Sequence, residues 1–254
     1  MSAHLIKYVL MAAMRDRMMW GIAVISILGA CLSIFSGSAA IIEQGQFVMT
    51  YAAGGIRILT LVGLVLFVVF YVRRSFDARD VEFLLTRPIS RLQFILSHAA
   101  AFSLLAVLSG AFLTLIIFAL NRGQFSEGLA LWSCGVAAEY ILVANTAFFF
   151  ALVLNSPVSS GLSTLGFYVL ARMIGNLMAI AHANLSSTTL FKGLAYVMDT
   201  IAMVIPRLDL MAQTSWLIYG NHDWQSWAFI CGQAILFLAL ILTAALIDLK
   251  RRQF

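Results

Sequence analysis

Two charged residues, Glu139 and Arg172, lie deep inside long apolar runs of the sequence. An isolated charge is costly in hydrocarbon, so we expect the two side chains to pair or to face a polar cavity. Each lies about ten residues from the same end of its run, which at roughly 1.5 Å per residue gives a similar depth. The pair is interpreted either as a buried contact that holds two helices together or as part of a substrate path.

The remaining side chains form no recognised catalytic or metal-binding pattern. The sequence lacks the phosphate-binding GxxxxGK[ST] loop, the GxSxG nucleophile turn and the HExxH metal motif. Cys31, Cys134 and Cys231 lack CxxC spacing and are interpreted as small buried hydrophobic residues. We therefore expect a protein that is not an enzyme and carries no cofactor or metal of its own.

The composition places these residues in a membrane. The 254-residue chain is 62% hydrophobic and 11% charged, whereas a soluble domain is about half apolar and one-quarter charged. We predict an all-α polytopic membrane protein with one transmembrane domain over residues 1–254. The six apolar runs predict transmembrane helices at about residues 18–40, 56–72, 94–120, 129–154, 158–182 and 227–249.

The distribution of Lys and Arg predicts the orientation. Of the 16 basic residues, 11 lie in the N-terminal segment, in the loop between spans two and three, or in the C-terminal tail. Four others, including Arg57, are assigned to the opposite side. The positive-inside rule then places both termini and the loop in the cytoplasm. This bias accounts for the net charge of +5, so we expect no nucleic-acid partner.

Two runs of small residues recur at four-residue spacing, which lets helix backbones approach closely. They are interpreted as packing faces, either within one chain or between two copies. The members are Gly29, Ser33 and Gly37 in the first span, and Ala171, Gly175, Ala179 and Ala183 in the fifth.

Two segments outside the spans have helical patterns. Residues 4–17 have basic and apolar sides, which favours a helix lying in the headgroup region over a solvated leader. The long connection 183–225 contains a moderately apolar piece, at about 189–206, interrupted by Lys192 and Asp199. For this piece we expect a re-entrant or interfacial helix that ends before Pro206.

The segment "RRSFDARDVEFLLTRPISRLQF", from Arg73, concentrates eight charged side chains in its first 19 residues. Arg87 precedes Pro88, which disfavours helix at that point. Ser90 and Gln93 form the S-x-x-Q pattern of a capping box. These signals predict a short helix over about 75–85, a sharp corner, and a third span that begins at Ser90.

Part of this segment, "LLTRPISRLQFILSH", resembles the "LLSRPISR…FLLGK" signature of permease subunits of type-2 ABC transporters, the exporter-like class. In that family the signature also follows the second span. The resemblance is specific over about residues 77–98 and extends to the whole chain at the level of six spans. Asp77 stands near a Glu position of the family and Arg79 near a Gly position, while Ser97 and His98 replace its Gly-Lys pair.

The resemblance implies a homodimer, or a heterodimer with a similar permease, in the cytoplasmic (inner) membrane of a bacterium or archaeon, surrounded by lipid. Two separate ATPase subunits would bind beneath it and carry the ATP and Mg. Residues 4–17 would be an interfacial elbow helix, and the 73–93 loop would hold the coupling helix. Spans one and five would form the dimer seam. The ATPase-coupling residues would be Asp77, Arg79, Asp80, Glu82, Phe83 and Arg87.

An ATP-independent secondary carrier, or a structural subunit of a membrane complex, is the alternative. A carrier is disfavoured because only Glu139 and Arg172 are expected deep in the membrane, and because no pair of Gly/Pro-broken helices indicates a midplane ion site. A neighbouring gene for an ATPase with a phosphate-binding loop would favour the transporter.

Overall fold

The computed structural model describes residues 3–38, 44–77, 90–121, 123–183, 196–197, 199–201, 205–220 and 224–251. This part of the chain is helical and contains no β-strand, as predicted. The helices are α1 (Ala3–Arg15), α2 (Arg17–Ser38), α3 (Gln44–Asp77), α4 (Arg91–Leu120), α5 (Glu127–Val153), α6 (Pro157–Ala183), α7 (Ser215–Tyr219) and α8 (Trp224–Arg251). Six of them, α2 to α6 and α8, are long and apolar enough to cross a membrane.

Local capping fixes where three of the helices begin. The Ser90 Oγ accepts a hydrogen bond from the Gln93 backbone N–H at 3.1 Å, so α4 starts where the S-x-x-Q pattern predicted. Ser126 caps α5 in the same way through the Leu129 N–H. Pro157 is the first residue of α6, a position at which its missing N–H leaves no hydrogen bond unmade.

Helix α3 is longer than hydropathy predicted. It has 34 residues and is therefore roughly 51 Å long, against about 30 Å of hydrocarbon. The expected start at residue 56 is wrong because packing, rather than hydropathy, sustains the preceding turns: Ala52 and Ala53 are fully buried. Arg57 consequently lies well inside the helix and not at the outer end of the span.

Helix α5 occupies the centre of the bundle. Its most apolar stretch is 72% buried, compared with 17% in α2 and α8, and it packs against α3, α4, α6 and α8. Polar contacts also join neighbouring helices. Ser26 and Thr60 hydroxyls lie 3.1 Å apart between α2 and α3, and Asn145 donates to Ser103 at 2.9 Å between α5 and α4. Such bonds stabilise helix pairs in an apolar environment.

The bundle has two ends. The terminal end, which carries both chain termini, holds the last turns of α3 and α8 and the first turns of α4 and α6. There Arg91 donates to the Leu249 carbonyl at 2.9 Å, and Arg74 pairs with Asp16 at 3.0 Å. The loop end, opposite, carries the α2–α3 and α4–α5 connections and the long connection between α6 and α8.

The small-residue stripe of α2 packs against α3. A Cβ at Gly29 would lie 3.1 Å from the Ile56 side chain, and one at Gly37 would meet Val48. Ser33, between them, is buried. This stripe therefore packs within the chain, which is one of the two alternatives that the sequence left open; a seam with a second copy involving the first span stays a prediction.

The stripe of α6 divides into parts with different surroundings. Ala171 is fully buried, and the position of Gly175 faces the Asp209 carboxylate of the same chain. Ala179, one turn further on, is exposed. Only the exposed end of this stripe remains open to a second copy.

The cysteines are less buried than predicted. Cys31 and Cys231 are exposed, and Cys134 is half-buried. The expectation of burial is wrong for the first two because α2 and α8 lie at the periphery of the bundle, where apolar side chains face outward.

Candidate functional site

The connection between α6 and α8 enters the bundle at the loop end. Within the inserted segment, residues 205–220, Leu208, Met211 and Ala212 are fully buried. Before it, residues 196–197 and 199–201 are helical, and the Ile205 N–H donates to the Ile201 carbonyl at 3.0 Å. This hydrogen bond has helical spacing and ends at Ile205, the residue before Pro206. The rest of the piece expected to be a re-entrant or interfacial helix, including Lys192, lies outside the described residues.

Three glycines provide the space for the inserted segment. A Cβ at Gly135 of α5 would lie 2.6 Å from the Ala212 nitrogen, which is closer than real Cβ contacts. A Cβ at Gly128 would meet the Trp216 carbonyl, and one at Gly175 would meet the Asp209 carboxylate. Close backbone approach therefore requires glycine at Gly128 and Gly135, whereas Gly175 leaves room for the Asp209 side chain.

Two arginines, the buried Arg57 and the partly buried Arg172, bind the backbone of the inserted segment. Arg57 donates from Nη1 to the Ala212 carbonyl at 2.6 Å. Arg172 donates from Nη1 to the Leu208 carbonyl at 2.5 Å and to the Met211 carbonyl at 2.9 Å. Irregular backbone inside an apolar bundle leaves carbonyls without helical partners, and the guanidinium groups supply donors to the Ala212 and Met211 carbonyls and a second donor to that of Leu208.

One carboxylate lies between these arginines. Glu139 is fully buried, and its Oε2 lies 3.6 Å from Arg172 Nη1 and 3.9 Å from Arg57 Nη1. Within the described residues neither Glu139 oxygen forms a hydrogen bond. The contact is thus primarily electrostatic. Tyr140, the next residue, donates its hydroxyl to the Arg57 carbonyl at 2.9 Å and ties α5 to α3.

A second ion pair extends the cluster. Arg207 Nη2 lies 2.9 Å from Asp209 Oδ2, on the inserted segment itself. Three arginines and two carboxylates make up the charge cluster, so its formal charge is +1. Its members are Arg57, Glu139, Arg172, Arg207 and Asp209.

The cluster lies at one depth, towards the loop end. Arg57, Glu139 and Arg172 are each roughly 17–20 Å from the loop end of their own helices, at 1.5 Å per residue. The structure thus brings together the two residues that sequence reasoning singled out. It adds Arg57, which was missed because the second span was predicted to begin just before it. The sequence does carry one signal that the helix begins before Arg57, namely the run of small residues at 52–55. Small residues let a membrane helix pack closely against its neighbours.

Of the six predicted coupling residues, the structure describes Asp77, at the terminal end. Asp77 is the last residue of α3; it is exposed and pairs with Arg73 at 3.0 Å. The other five, Arg79, Asp80, Glu82, Phe83 and Arg87, lie outside the described residues, as does the helix predicted over 75–85 beyond Asp77. Along α3, Arg57 and Asp77 are about 30 Å apart, so one continuous helix joins the charge cluster to the charged loop.

No protein-family model and no curated protein sequence matches the chain. Within the described ranges, no three His, Cys, Asp or Glu side chains are grouped as a metal site would require. The contacts of the charge cluster are hydrogen bonds and ion pairs, in which guanidinium groups hold the irregular inserted segment.

The fit of the inserted segment can be tested at Gly135. Gly135→Ala is expected to lower the free energy of unfolding by about 1–3 kcal/mol, because the new methyl group meets backbone that has little room to move. Gly166→Ala is the matched control, since a Cβ there meets nothing within 4 Å. Thermal unfolding of the purified proteins in detergent compares the two. Equal midpoints would contradict the proposed close packing.

Proposed function

We propose that the chain is the transmembrane permease subunit of a type-2 ABC transporter, which moves a substrate across the membrane using a separate ATPase. The supporting features are six apolar helices and the "TRPISR" signature between the second and third of them. One observation carries the proposal furthest: α3 runs unbroken from the charge cluster to the charged 73–93 loop. A rigid helix of this kind suits the transmission of force from a soluble partner.

In this proposal the terminal end faces the cytoplasm. Its Lys and Arg excess supports that orientation, and α1 would lie along the membrane surface as an elbow helix. Two ATPase subunits would contact residues 77–87, and a second permease copy would complete the translocation path. The protein would reside in the cytoplasmic membrane of a bacterium or archaeon. ATP and Mg would bind to the ATPase and not to this chain.

The charge cluster would act as the outer closure of the path. ATP-driven movement of α3 would carry Arg57 away from the Ala212 carbonyl, and the inserted segment would lose one of the two arginines that bind its backbone. Because packed elements tend to have discrete arrangements, such a shift would favour a second, open state over a gradual deformation. Restoring the Arg57 contact would close the path again.

Co-purification tests the proposal. The chain is expressed together with the ATPase encoded by a neighbouring gene and is purified by a tag on the chain alone. The expected result is a complex of two permease and two ATPase subunits that hydrolyses ATP. If the ATPase does not bind to the tagged chain under any nucleotide condition, the proposal is wrong.

A proton-coupled carrier is the second candidate, and the buried Glu139 favours it. A fully buried carboxylate whose oxygens form no hydrogen bond within the described residues could exchange a proton during transport. This candidate predicts transport by the purified chain alone in vesicles with a proton gradient, and the loss of that transport in Glu139→Gln. The ABC proposal predicts no transport without the ATPase.

A further inference from the structure

An open cavity of about 680 Å³ lies at the corner between α1 and α2, beside the last turns of α3. It lies at the terminal end of the bundle, opposite the charge cluster. Three arginines and one aspartate line it together with two tyrosines. The residues are Arg15, Asp16, Arg17, Arg74, Tyr8 and Tyr71.

The aspartate that lines this cavity already has two partners within the chain. Asp16 Oδ1 accepts a hydrogen bond from the Met18 N–H at 2.9 Å, which caps the first turn of α2. Its Oδ2 lies 3.0 Å from Arg74 Nη2. The carboxylate therefore holds Arg74 in place at the cavity wall. Since three arginines oppose one aspartate, the cavity has a formal charge of +2.

The other two arginines are available to a ligand. Arg15 and Arg17 are exposed, and within the described part of the chain neither forms an ion pair. Arg15 lies at the end of α1 and Arg17 at the start of α2, so the corner at Asp16 brings them to one cavity. Two unpaired guanidinium groups beside a third favour an anion with several oxygens, since each guanidinium presents a fork of N–H donors.

The apolar surroundings favour a lipid source for this anion. Leu5, Val9 and Ala13 of α1 are buried against the bundle. Tyr8 and Met11, which also line the cavity, are 56% and 51% exposed. An exposed apolar surface beside a basic pocket is typical of a helix at the boundary between headgroups and hydrocarbon. A headgroup phosphate could reach the arginines while its acyl chains lie against Met11.

We propose that this cavity binds the phosphate of an anionic phospholipid headgroup, with Arg15, Arg17 and Arg74 as its ligands. The bound headgroup would fix α1 to the membrane surface next to the last turns of α3. The site does not depend on the ABC assignment, because it rests on residues of this chain alone.

Photo-crosslinking tests the site. The purified chain is placed in phosphatidylcholine vesicles that contain photoactivatable phosphatidylglycerol, and adducts are mapped by mass spectrometry. We expect adducts on peptides that contain residues 8–17 or 71–75, and competition by unlabelled phosphatidylglycerol but not by phosphatidylcholine. Competition by inorganic phosphate at the same concentration would overturn the lipid assignment in favour of a soluble phosphate compound.

Variants that each remove one positive charge test whether the lipid probe binds at this cavity. Arg15→Gln and Arg17→Gln should each weaken labelling about tenfold, since each removes a charge-assisted hydrogen bond to the phosphate. Lys7→Gln, on the same helix but outside the cavity, is the matched control and should change labelling little. Equal losses in Lys7→Gln and Arg17→Gln would show only a general attraction to the surface and would overturn the site. Unchanged labelling in the Arg15→Gln, Arg17→Gln double variant would overturn it as well.

Discussion

Glu139→Ala is expected to destabilise the protein, by about 3–5 kcal/mol, because it leaves the buried Arg57 and the partly buried Arg172 without their counter-charge. Arg57 Nη1 and Arg172 Nη1 both lie within 3.9 Å of this one carboxylate. The alanine also leaves a cavity at a fully buried position. The measurement is the thermal unfolding midpoint in detergent, together with the yield of monodisperse protein.

Two further variants separate charge from packing at this position. Glu139→Gln keeps the volume and the hydrogen-bonding capacity, so it should lose less stability than Glu139→Ala. Glu127→Ala, at the exposed first turn of the same helix, is the control and should cost less than about 1 kcal/mol. Equal losses in the Gln and Ala variants would show that the charge itself, and not the packing, holds the cluster together.

Glu82→Arg is expected to uncouple ATP hydrolysis from transport while the protein stays folded. The proposal places residue 82 in the loop that the ATPase contacts, where reversal of one charge creates repulsion in place of attraction. Phe83→Ala should act in the same direction by removing an apolar anchor. ATP hydrolysis and transport are measured in vesicles that contain the chain and its ATPase partner.

The matched control is Glu127→Arg, which makes the same charge change at the loop end of α5. It should leave the ratio of transport to ATP hydrolysis near that of the unmodified protein. Normal coupling in both Glu82→Arg and Phe83→Ala would show that the 73–93 loop is not the contact with the ATPase.

Sequence reasoning succeeded where local chemistry decides the structure. The Ser90–Gln93 pattern specifies a helix start through one side-chain hydrogen bond, and α4 begins there. The apolar runs predicted all six long helices because a span of hydrocarbon requires about 20 apolar residues. The depths of Glu139 and Arg172 followed from simple counting along their helices.

Sequence reasoning failed where distant segments meet. Arg57 was assigned to the outer side, at the start of the second span, because the residues before it are only moderately apolar, whereas their burial against neighbouring helices keeps α3 continuous. The insertion of residues 205–220 left no local pattern, since its donors come from α3 and α6. Gly128 and Gly135 are signs of this insertion only once the facing backbone is known.

In the proposed function, α3 transmits force between two regions of the protein. Arg57, in the part of α3 nearer the loop end, binds the inserted segment, and the other end of the helix leads into the charged loop. Force applied at the loop would therefore reach the closure without any intervening hinge within α3. The absence of a break over its 34 residues is what makes this route direct.

The central claim is that ATP hydrolysis by an ATPase bound at the terminal end opens the closure at the loop end. It is tested most directly by labelling the inserted segment. Cys31, Cys134 and Cys231 are replaced by alanine, and Gln213 is replaced by cysteine in the complex with its ATPase. The rate of reaction with a membrane-impermeant maleimide is then measured in vesicles with and without ATP. The account predicts faster labelling with ATP, and a rate that stays the same during active hydrolysis would contradict it.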